Sequence, residues 1–466
     1  MKARKIGLLL LILGFGAVTE VGYQVRDELS VGPTGCRVLS GRFHGRSHSF
    51  DIERSVRLAG AATVEIENAF GGVRVGAGAP GQVQVRLRKV VFLPDEDRAR
   101  SFAERIEMNT EVSDSALRIA TNRRPLERDH AEVGFETHLE VTVPAGTSLR
   151  VRNQHGRVEA TDLASADLES SYDSLRVERV GGGVRLRNRH GEVFASAIEG
   201  ALEVLSRGGR VEMEDIRGPA TVEVERGDVV ASRLASLNLK LSYGDLAARQ
   251  LGGDLEVEGA QAAVVATEIA GGAVIATSYR PVELNGIGGA VRITADRAEV
   301  RVAHAKAGVQ VETSYDDVHL SEIAGPLEVE VRHGGVQASG LAQGARVRSS
   351  GDDVDIERFR GDIHVETRRG AVHLVPEGPV THAIFVSASY GDVSLVVPEG
   401  SSFDLEVAAA SGNIDAELPG LEAGEAGPER LLGRFGSGGV PVELRTEHGQ
   451  VSLSAPKQPE ASPPQR

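Results

Sequence analysis

The chain has 466 residues, 52 of them basic and 67 acidic, which gives a formal net charge of −15. This charge argues against a nucleic-acid partner, because phosphate binding needs a basic stripe. Trp is absent and only 4% of residues are aromatic, so we expect a core of Val, Leu, Ile and Ala in short stacked strands. Cys36 is the single cysteine, which excludes an internal disulfide.

The first 20 residues are typical of an export signal. Lys2, Arg4 and Lys5 precede an apolar run from Ile6 to Val18, as in the basic and hydrophobic parts of a signal peptide. The run is short for a membrane span, which needs about 20 residues, and a clear cleavage site is missing. We therefore expect residues 1–20 to be a signal peptide or a membrane anchor, and the rest of the chain to be exported in either case.

Residues 21–60 have no clear pattern and are interpreted as a linker or entry segment. From 61 to 150 the segments "TVEIENAFGGVRV" and "QVQVRLRKVVF" alternate apolar and polar residues, which predicts strands. One short helix is predicted at about 95–108. Acidic residues from Asp95 favour its first turn, and Ala99, Phe102, Ala103 and Ile106 form an apolar stripe.

A periodic region extends from 151 to 454, followed by a tail at 455–466 that we expect to be disordered. Each unit contains a strand, a polar turn, a second strand and a bend, and its marker is the apolar residue after the turn. The sixteen markers are mostly 18 residues apart: Val158, Leu175, Val193, Val211, Val229, Leu246, Val264, Val282, Val300, Val318, Val336, Val354, Val372, Val393, Ile414 and Val451. So short a unit cannot bury its apolar face alone, which predicts an all-β, elongated parallel β-solenoid.

Five of the six tyrosines lie three residues before a marker, and all five are in even-numbered units. They are Tyr172, Tyr243, Tyr279, Tyr315 and Tyr390. Odd-numbered units place other residues there: His155, His190, Arg226, Gln261, Arg297, His333, Arg369 and Ser411. The sequence period is therefore about 36 residues, or two units.

Two geometries explain the doubled period. If one coil takes 36 residues, tyrosines lie along one edge and cations along the other. If one coil takes 18 residues, tyrosines and cations alternate in a single column. We favour the two-edge geometry, which needs no fine tuning, although the sequence allows both.

These motifs resemble a family of bacterial β-strand-repeat proteins named putative adhesins, a family of unknown function. The resemblance covers roughly residues 60–454. It is carried by "ENAFGGVRV", by "LEVTVPAGTSLRVRNQHGRVEATDL", by serial "SYGDV" and "RHGGV" turns, and by "GSGGVPVELRTEHGQVSLS". It implies an exported, solenoid-like scaffold and transfers no catalytic or binding residue.

Acidic turns at Asp228, Asp245, Asp316–Asp317, Asp352–Asp353 and Asp392 raise the hypothesis of calcium binding. We interpret them instead as ordinary turn residues, because the calcium-binding nonapeptide repeat is missing. His155, His190, His333 and His448 share one repeat position but lack the spacing of a zinc site. We therefore expect no metal, no cofactor and no catalytic residue.

The sequence favours an exported, non-catalytic cell-envelope scaffold or an adhesin-like binding surface. The five tyrosines form the candidate ligand-contact edge, and an envelope glycan or protein is the candidate partner. We expect contact with a membrane only through the N-terminal segment. Two alternatives stay open. One is a polysaccharide-active β-helical enzyme, and the other is a membrane-tethered assembly or sensory module.

Overall fold

The computed structural model describes residues 45–57, 63–113 and 116–456. The predicted signal or anchor at 1–20, residues 21–44 and 58–60 of the entry segment, and the tail from 457 lie outside these residues. The described chain forms two compact units. The first, here called the helical unit, contains Lys89–Glu107, Asn122–Glu136 and the described residues up to Phe50. The second, the solenoid unit, contains Asp51–Arg88, Met108–Thr121 and the described residues from Thr137.

The early strands are β1 (Ser47–Arg57), β2 (Thr63–Glu67), β3 (Val73–Gly78), β4 (Gln82–Phe92), β5 (Met108–Val112), β6 (Ala116–Thr121), β7 (Gly134–Pro144), β8 (Ser148–His155) and β9 (Val158–Leu163). The central strands are β10 (Ser165–Tyr172), β11 (Leu175–Val180), β12 (Val184–His190), β13 (Val193–Ile198), β14 (Leu202–Ser206), β15 (Val211–Arg226), β16 (Val229–Leu251), β17 (Leu255–Ile269), β18 (Ala273–Ser278), β19 (Val282–Ile287), β20 (Val291–Asp296), β21 (Val300–Ala305), β22 (Val309–Thr313) and β23 (Val318–Ile323). The late strands are β24 (Leu327–Val331), β25 (Val336–Leu341), β26 (Ala345–Ser349), β27 (Val354–Phe359), β28 (Ile363–Arg369), β29 (Val372–Pro376), β30 (Ile384–Tyr390), β31 (Val393–Val396), β32 (Phe403–Ser411), β33 (Ile414–Glu417), β34 (Leu421–Ala426), β35 (Arg430–Phe435), β36 (Val440–His448) and β37 (Val451–Ser454).

The solenoid unit is built from coils of 18 residues that contain two strands each. Strand β22 pairs in parallel with β24, and β23 pairs in parallel with β25. In both pairs each residue lies beside the one 18 positions later, as Val318 lies beside Val336. The strands thus form two parallel ladders. The first contains strands such as β22, and the second contains strands such as β23. The preferred 36-residue coil with two unlike edges is therefore wrong, and the single-column geometry is correct.

The predicted markers form the inner row of the second ladder. Val282, Val300 and Val318 are fully buried and lie side by side on successive rungs. The pattern extends beyond the predicted repeats, because Val73 lies beside Val158 in the same row. Stacking each apolar residue on the next rung removes it from water without a large side chain, which explains a core that has no tryptophan.

One bend in each second-ladder strand from Val158 to Phe359 breaks the strict alternation expected from the sequence. Four residues after the marker, the backbone enters the left-handed region, as at Arg179 (φ 53°) and Glu322 (φ 55°). That residue is not paired with a residue of the adjacent rung. The residue after it, Val180 or Ile323, points back into the core. The second strand therefore buries three side chains at uneven spacing.

The C-terminal rungs do not follow the order of the chain. Val451 lies between Val393 and Ile414, whereas the sequence places Ile414 between those two. Strand β36 likewise inserts between β30 and β32. The loop after β33 carries the antiparallel pair β34 and β35, and β35 also pairs with β32. The expected serial order of these last three units is thus wrong, because a hairpin lets the chain return before it adds the final strands.

The helical unit contains two short helices, α1 (Glu96–Arg105) and α2 (Arg123–Asp129). Helix α1 is the predicted helix. The Asp95 side chain accepts a 2.9 Å hydrogen bond from the backbone N–H of Arg98 and so caps its start. The predicted stripe packs in an apolar cluster with Leu126 of α2 and with Phe135. Helix α2 was not predicted from the sequence.

Candidate functional site

The residues three positions before the markers form one column along the turn that joins the first ladder to the second. Tyr172 lies between His155 and His190, Tyr243 follows Arg226, and Tyr390 lies between Arg369 and His448. In spatial order the column contains Phe70, His155, Tyr172, His190, Gly208, Arg226, Tyr243, Gln261, Tyr279, Arg297, Tyr315, His333, Gly351, Arg369, Tyr390, His448 and Ser411.

Neighbouring rings in the column stack face to face. Phe70, His155, Tyr172 and His190 follow one another with centroid separations of 4.1, 4.4 and 5.2 Å. Tyr390 and His448 stack at 4.8 Å. Contacts of this kind stabilise the exposed rings beyond the area that they bury.

A second stack combines aromatic rings with a cation. The Arg297 guanidinium lies between two tyrosines, 5.3 Å from the Tyr279 ring and 5.2 Å from the Tyr315 ring. Its Nη1 also donates a 2.7 Å hydrogen bond to the Tyr279 hydroxyl. Tyr315 then stacks on His333 at 4.9 Å. At Arg297 the alternation of tyrosine and cation in the sequence thus becomes two cation–π contacts.

Stacking determines which parts of these rings face the solvent. The five tyrosines are between 43% and 55% exposed. Where neighbours cover their faces, as for Tyr172 between His155 and His190, the ring edges and hydroxyl groups remain exposed. The column therefore presents hydroxyl, imidazole and guanidinium groups at rung intervals of about 4.8 Å. Such a surface suits hydrogen bonding along an extended polar partner better than flat stacking on single sugar rings.

Buried polar side chains hold the turn in place from inside. Two residues before the column, the Oγ1 atoms of Thr313 and Thr367 donate hydrogen bonds of 3.0 and 2.7 Å to the carbonyl oxygens of Tyr315 and Arg369. Ser170 makes the same contact with Tyr172, at 3.0 Å. These donors satisfy backbone carbonyls that the turn would otherwise leave unpaired.

The residue after the column is often glycine, because successive turns approach one another closely. Gly191 has a φ of 131°, and a Cβ atom there would lie 2.1 Å from the carbonyl oxygen of Asp173 on the preceding rung. A Cβ atom at Gly391 would likewise lie 2.0 Å from the carbonyl oxygen of Gly370. Glycine thus allows the rungs, and with them the column side chains, to reach stacking distance.

The acidic turn residues bind backbone N–H groups of the next rung. Asp317 Oδ1 accepts a 2.8 Å hydrogen bond from Gly335, and Asp353 Oδ1 accepts one of 2.7 Å from Ala371. Asp228 Oδ1 likewise accepts a hydrogen bond from the backbone N–H of Asp245, and Asp392 Oδ1 accepts one from that of Gln450. Within the described ranges, no group of three or more His, Cys, Asp or Glu side chains could hold a metal ion.

The turn on the opposite side of the coil carries ion pairs in several coils. Arg179 binds Asp162 through two hydrogen bonds of 2.7 and 2.9 Å, and Arg233 binds Asp215 on a later pair of rungs. Hydrogen bonds from these arginines lower the pKa of Asp162 and of Asp215. Pairs this exposed contribute little to stability, so this side serves as a matched control surface.

A shallow groove on the outer face of the second ladder carries several acidic side chains. Its volume is about 720 Å³, and its lining includes Glu283, Asp355 and Glu357. Burial raises the pKa of the Asp355 carboxyl, and the nearby His373 opposes this shift. Arg301 lies 3.3 Å from Glu283 and binds it in an ion pair. Part of this acidic lining is thus neutralised within the groove.

The structure brings all five predicted tyrosines into one column, but it adds members that the sequence analysis separated or missed. The histidines and arginines belong to the same column and not to a second edge. Phe70 begins the column and was missed, although it also lies three residues before an apolar residue, Val73, in "ENAFGGVRV". None of the helices in the described part of the chain is long and apolar enough to cross a membrane.

Solved structures similar to this chain include a putative cell adhesion protein from Clostridium sporogenes, with 8% identity and a TM-score of 0.15, covering 88% of this chain and 100% of that one. A putative adhesin from Parabacteroides distasonis has 10% identity and a TM-score of 0.17, and the match covers 70% of this chain and 98% of that one. A putative adhesin from Parabacteroides merdae has 7% identity and a TM-score of 0.16, covering 73% and 95%.

No curated protein matches the chain. A family model does match it, that of Toastrack DUF4097, over residues 105–454. The matched region contains most of the solenoid unit and all but one member of the column, Phe70. The chain therefore belongs to the Toastrack DUF4097 family.

Proposed function

We propose that the protein is an exported, non-catalytic cell-envelope scaffold whose column acts as an adhesin-like binding surface for an envelope glycan. The observation that carries this proposal is the column itself. It holds five half-exposed tyrosines in register with histidines and arginines along one side of the solenoid unit. Export is inferred from the signal-like sequence of residues 1–20.

The rigidity of the column supports a binding role. Its backbone is fixed by the ladders, and its rings are fixed by stacking, so little side-chain entropy is lost when a partner binds. Tyrosine also offers an amphipathic surface at low entropic cost, as it does in antibody binding sites. A linear polymer with many hydroxyl groups could follow successive rungs and hydrogen-bond to the ring edges.

The use of the acidic side chains supports a non-catalytic role. The carboxylates of Asp228, Asp317, Asp353 and Asp392 accept backbone hydrogen bonds between rungs, so they have a structural task already. A polysaccharide-active enzyme would instead need two carboxyl groups facing one bound sugar. The polar side chains of the column are distributed over many rungs and not confined to a few.

Replacement of three central tyrosines tests this proposal. The Tyr243→Ala/Tyr279→Ala/Tyr315→Ala variant should lose at least tenfold in affinity for the glycans that the unmodified protein selects from an array of envelope polysaccharides. The matched control replaces Arg179, Arg233 and Arg358 on the opposite side by alanine and should bind normally. Circular dichroism must show that both variants keep the fold. Equal binding by the tyrosine variant and the unmodified protein would refute the proposal.

A further inference from the structure

The column contains one series of five residues, in the order Tyr, His, Gly, Arg and Tyr, twice. The first series is Tyr172, His190, Gly208, Arg226 and Tyr243, and the second is Tyr315, His333, Gly351, Arg369 and Tyr390. Each series therefore has one position without a side chain, between a histidine and an arginine. We call these positions the Gly208 slot and the Gly351 slot.

The histidine in each slot has one ring face covered and the other directed toward the glycine rung. His190 stacks on Tyr172 at 5.2 Å, and His333 stacks on Tyr315 at 4.9 Å. A Cβ atom at Gly208 would lie 3.9 Å from Nδ1 of His190 and 4.0 Å from the carbonyl oxygen of Arg226. The glycine rung thus lies directly between the two side-chain-bearing rungs, which are about 10 Å apart.

The Gly208 slot is rich in arginine. Arg189 and Arg207 lie immediately before the column positions His190 and Gly208, on the side of the first ladder. Among the described residues neither has a carboxylate within ion-pair distance. Arg226 has only Glu225, its neighbour in the chain, at 3.8 Å. Within the described ranges, Arg189 and Arg207 thus have no ion pair, and Arg226 has one.

Arginines that lack an ion pair with any described residue also flank the Gly351 slot. Arg332, Arg368 and Arg369 flank it, and none of them has an ion-pair partner in the part of the chain that the structure describes. Two acids, Asp352 and Asp353, follow Gly351 in the turn, and Asp353 accepts the backbone hydrogen bond from Ala371. Unpaired arginines at two equivalent positions are unexpected on a protein with a net charge of −15, where most exposed arginines could find a carboxylate.

We propose that the two slots are subsites of the same kind for the carboxylate-bearing sugar rings of an acidic polysaccharide, although the turn at Gly351 lies closer to the His333 backbone than the turn at Gly208 lies to its neighbour. The sugar ring takes the place of the missing side chain and packs on the free face of the histidine. Its carboxylate pairs with the guanidinium groups, whose planar fork matches a carboxylate in bidentate geometry. This inference rests on the proposed function and specifies the chemistry of the ligand.

The spacing of the slots favours a polymer. They are eight rungs apart, as the markers Val211 and Val354 show, which corresponds to about 40 Å along the column. A short oligosaccharide should occupy each slot separately. A long chain should occupy both at once and bind more tightly, because the second contact is intramolecular.

Isothermal titration calorimetry with trigalacturonate measures the number of binding sites on the protein. We expect two sites on the unmodified protein and one on the Gly208→Tyr variant. A tyrosine at this position fills the gap without a backbone clash, because the nearest atom to its Cβ is 3.5 Å away. A variant that combines Gly208→Tyr with Arg332→Ala, Arg368→Ala and Arg369→Ala should not bind trigalacturonate. The control variant Arg179→Ala/Arg233→Ala should keep both sites.

The outcomes separate this inference from the proposed function. The inference that the slots bind acidic sugars would be overturned if the Gly208→Tyr variant bound trigalacturonate at as many sites as the unmodified protein. Binding of neutral glycans that depends on Tyr243, Tyr279 and Tyr315, without any binding of trigalacturonate, would also overturn the slots but leave the proposed function standing. If no glycan of either kind binds the unmodified protein, both fail.

Discussion

Thr313 Oγ1 donates a 3.0 Å hydrogen bond to the carbonyl oxygen of Tyr315, so a buried side chain holds the turn that carries an exposed ring. Thr313 is 3% exposed, whereas Tyr315 is 43% exposed. The position two residues before the column thus links the core of a coil to its outer surface. The role of a polar residue here is to hold the turn of the column in place, not to bind a partner itself.

The Thr313→Val variant should lose about 1 kcal/mol of unfolding free energy, because its shape is kept while a buried carbonyl loses its donor. Urea denaturation measures this difference. The control is Thr294→Val, since Thr294 lies on the exposed face of a neighbouring strand. If both variants were equally stable, the inner hydrogen bond would have no role in holding the turn.

Gly191→Ala should destabilise the solenoid unit by about 3 kcal/mol or more, since it combines a strained φ with a clash against backbone. Its Cβ would lie 2.1 Å from the Asp173 carbonyl oxygen. Gly181→Ala is the matched control, because nothing lies within 4 Å of a Cβ there. Thermal melting of both variants measures the difference. A Gly191→Ala variant as stable as Gly181→Ala would show that the rungs can separate at low cost.

Val282→Asp should cost several kcal/mol, because it places an unpaired charge in the inner row of the second ladder. Val282 is fully buried between Val264 and Val300. Val265→Asp makes the same chemical change at a residue that is 43% exposed, so its melting temperature should hardly move. A normal melting temperature for Val282→Asp would contradict the register of the ladder.

Calcium at millimolar concentration, or EDTA, should leave the melting temperature unchanged, because the acidic turn residues already bind backbone N–H groups. Asp317→Ala should be less stable than Asp317→Asn, which keeps an oxygen to accept the Gly335 hydrogen bond. Differential scanning calorimetry tests both statements. A rise of several degrees with calcium would indicate an ion-binding ladder of aspartates.

Much of the fold could be predicted from spacing alone. The markers from Val158 to Val393 are a local pattern, and stacking them on successive rungs buries every one of them. The position of Val451 could not be predicted, because the insertion of β36 and β37 depends on pairing between distant segments. The bend at residues such as Arg179 was missed because no residue type is required there.

The column could be predicted only in part. The repeat position of Tyr315 identified it as a member of a series, but the period of 36 residues is compatible with a long coil or with two short ones. Periodicity along the chain does not give the number of residues per coil. That number depends on which strands pair, and it decides whether Arg297 contacts Tyr279 and Tyr315 or lies opposite them.

Engineered disulfides test the single column most directly, in a Cys36→Ser background. The Tyr172→Cys/His190→Cys variant joins adjacent rungs, whose Cα atoms are within disulfide range at about 5 Å. The Tyr279→Cys/Tyr315→Cys variant joins positions two rungs apart, at about 10 Å, beyond that range. After mild oxidation, mass spectrometry should find the disulfide in the first variant and not in the second. A disulfide in the second variant and none in the first would contradict the 18-residue coil and the single column.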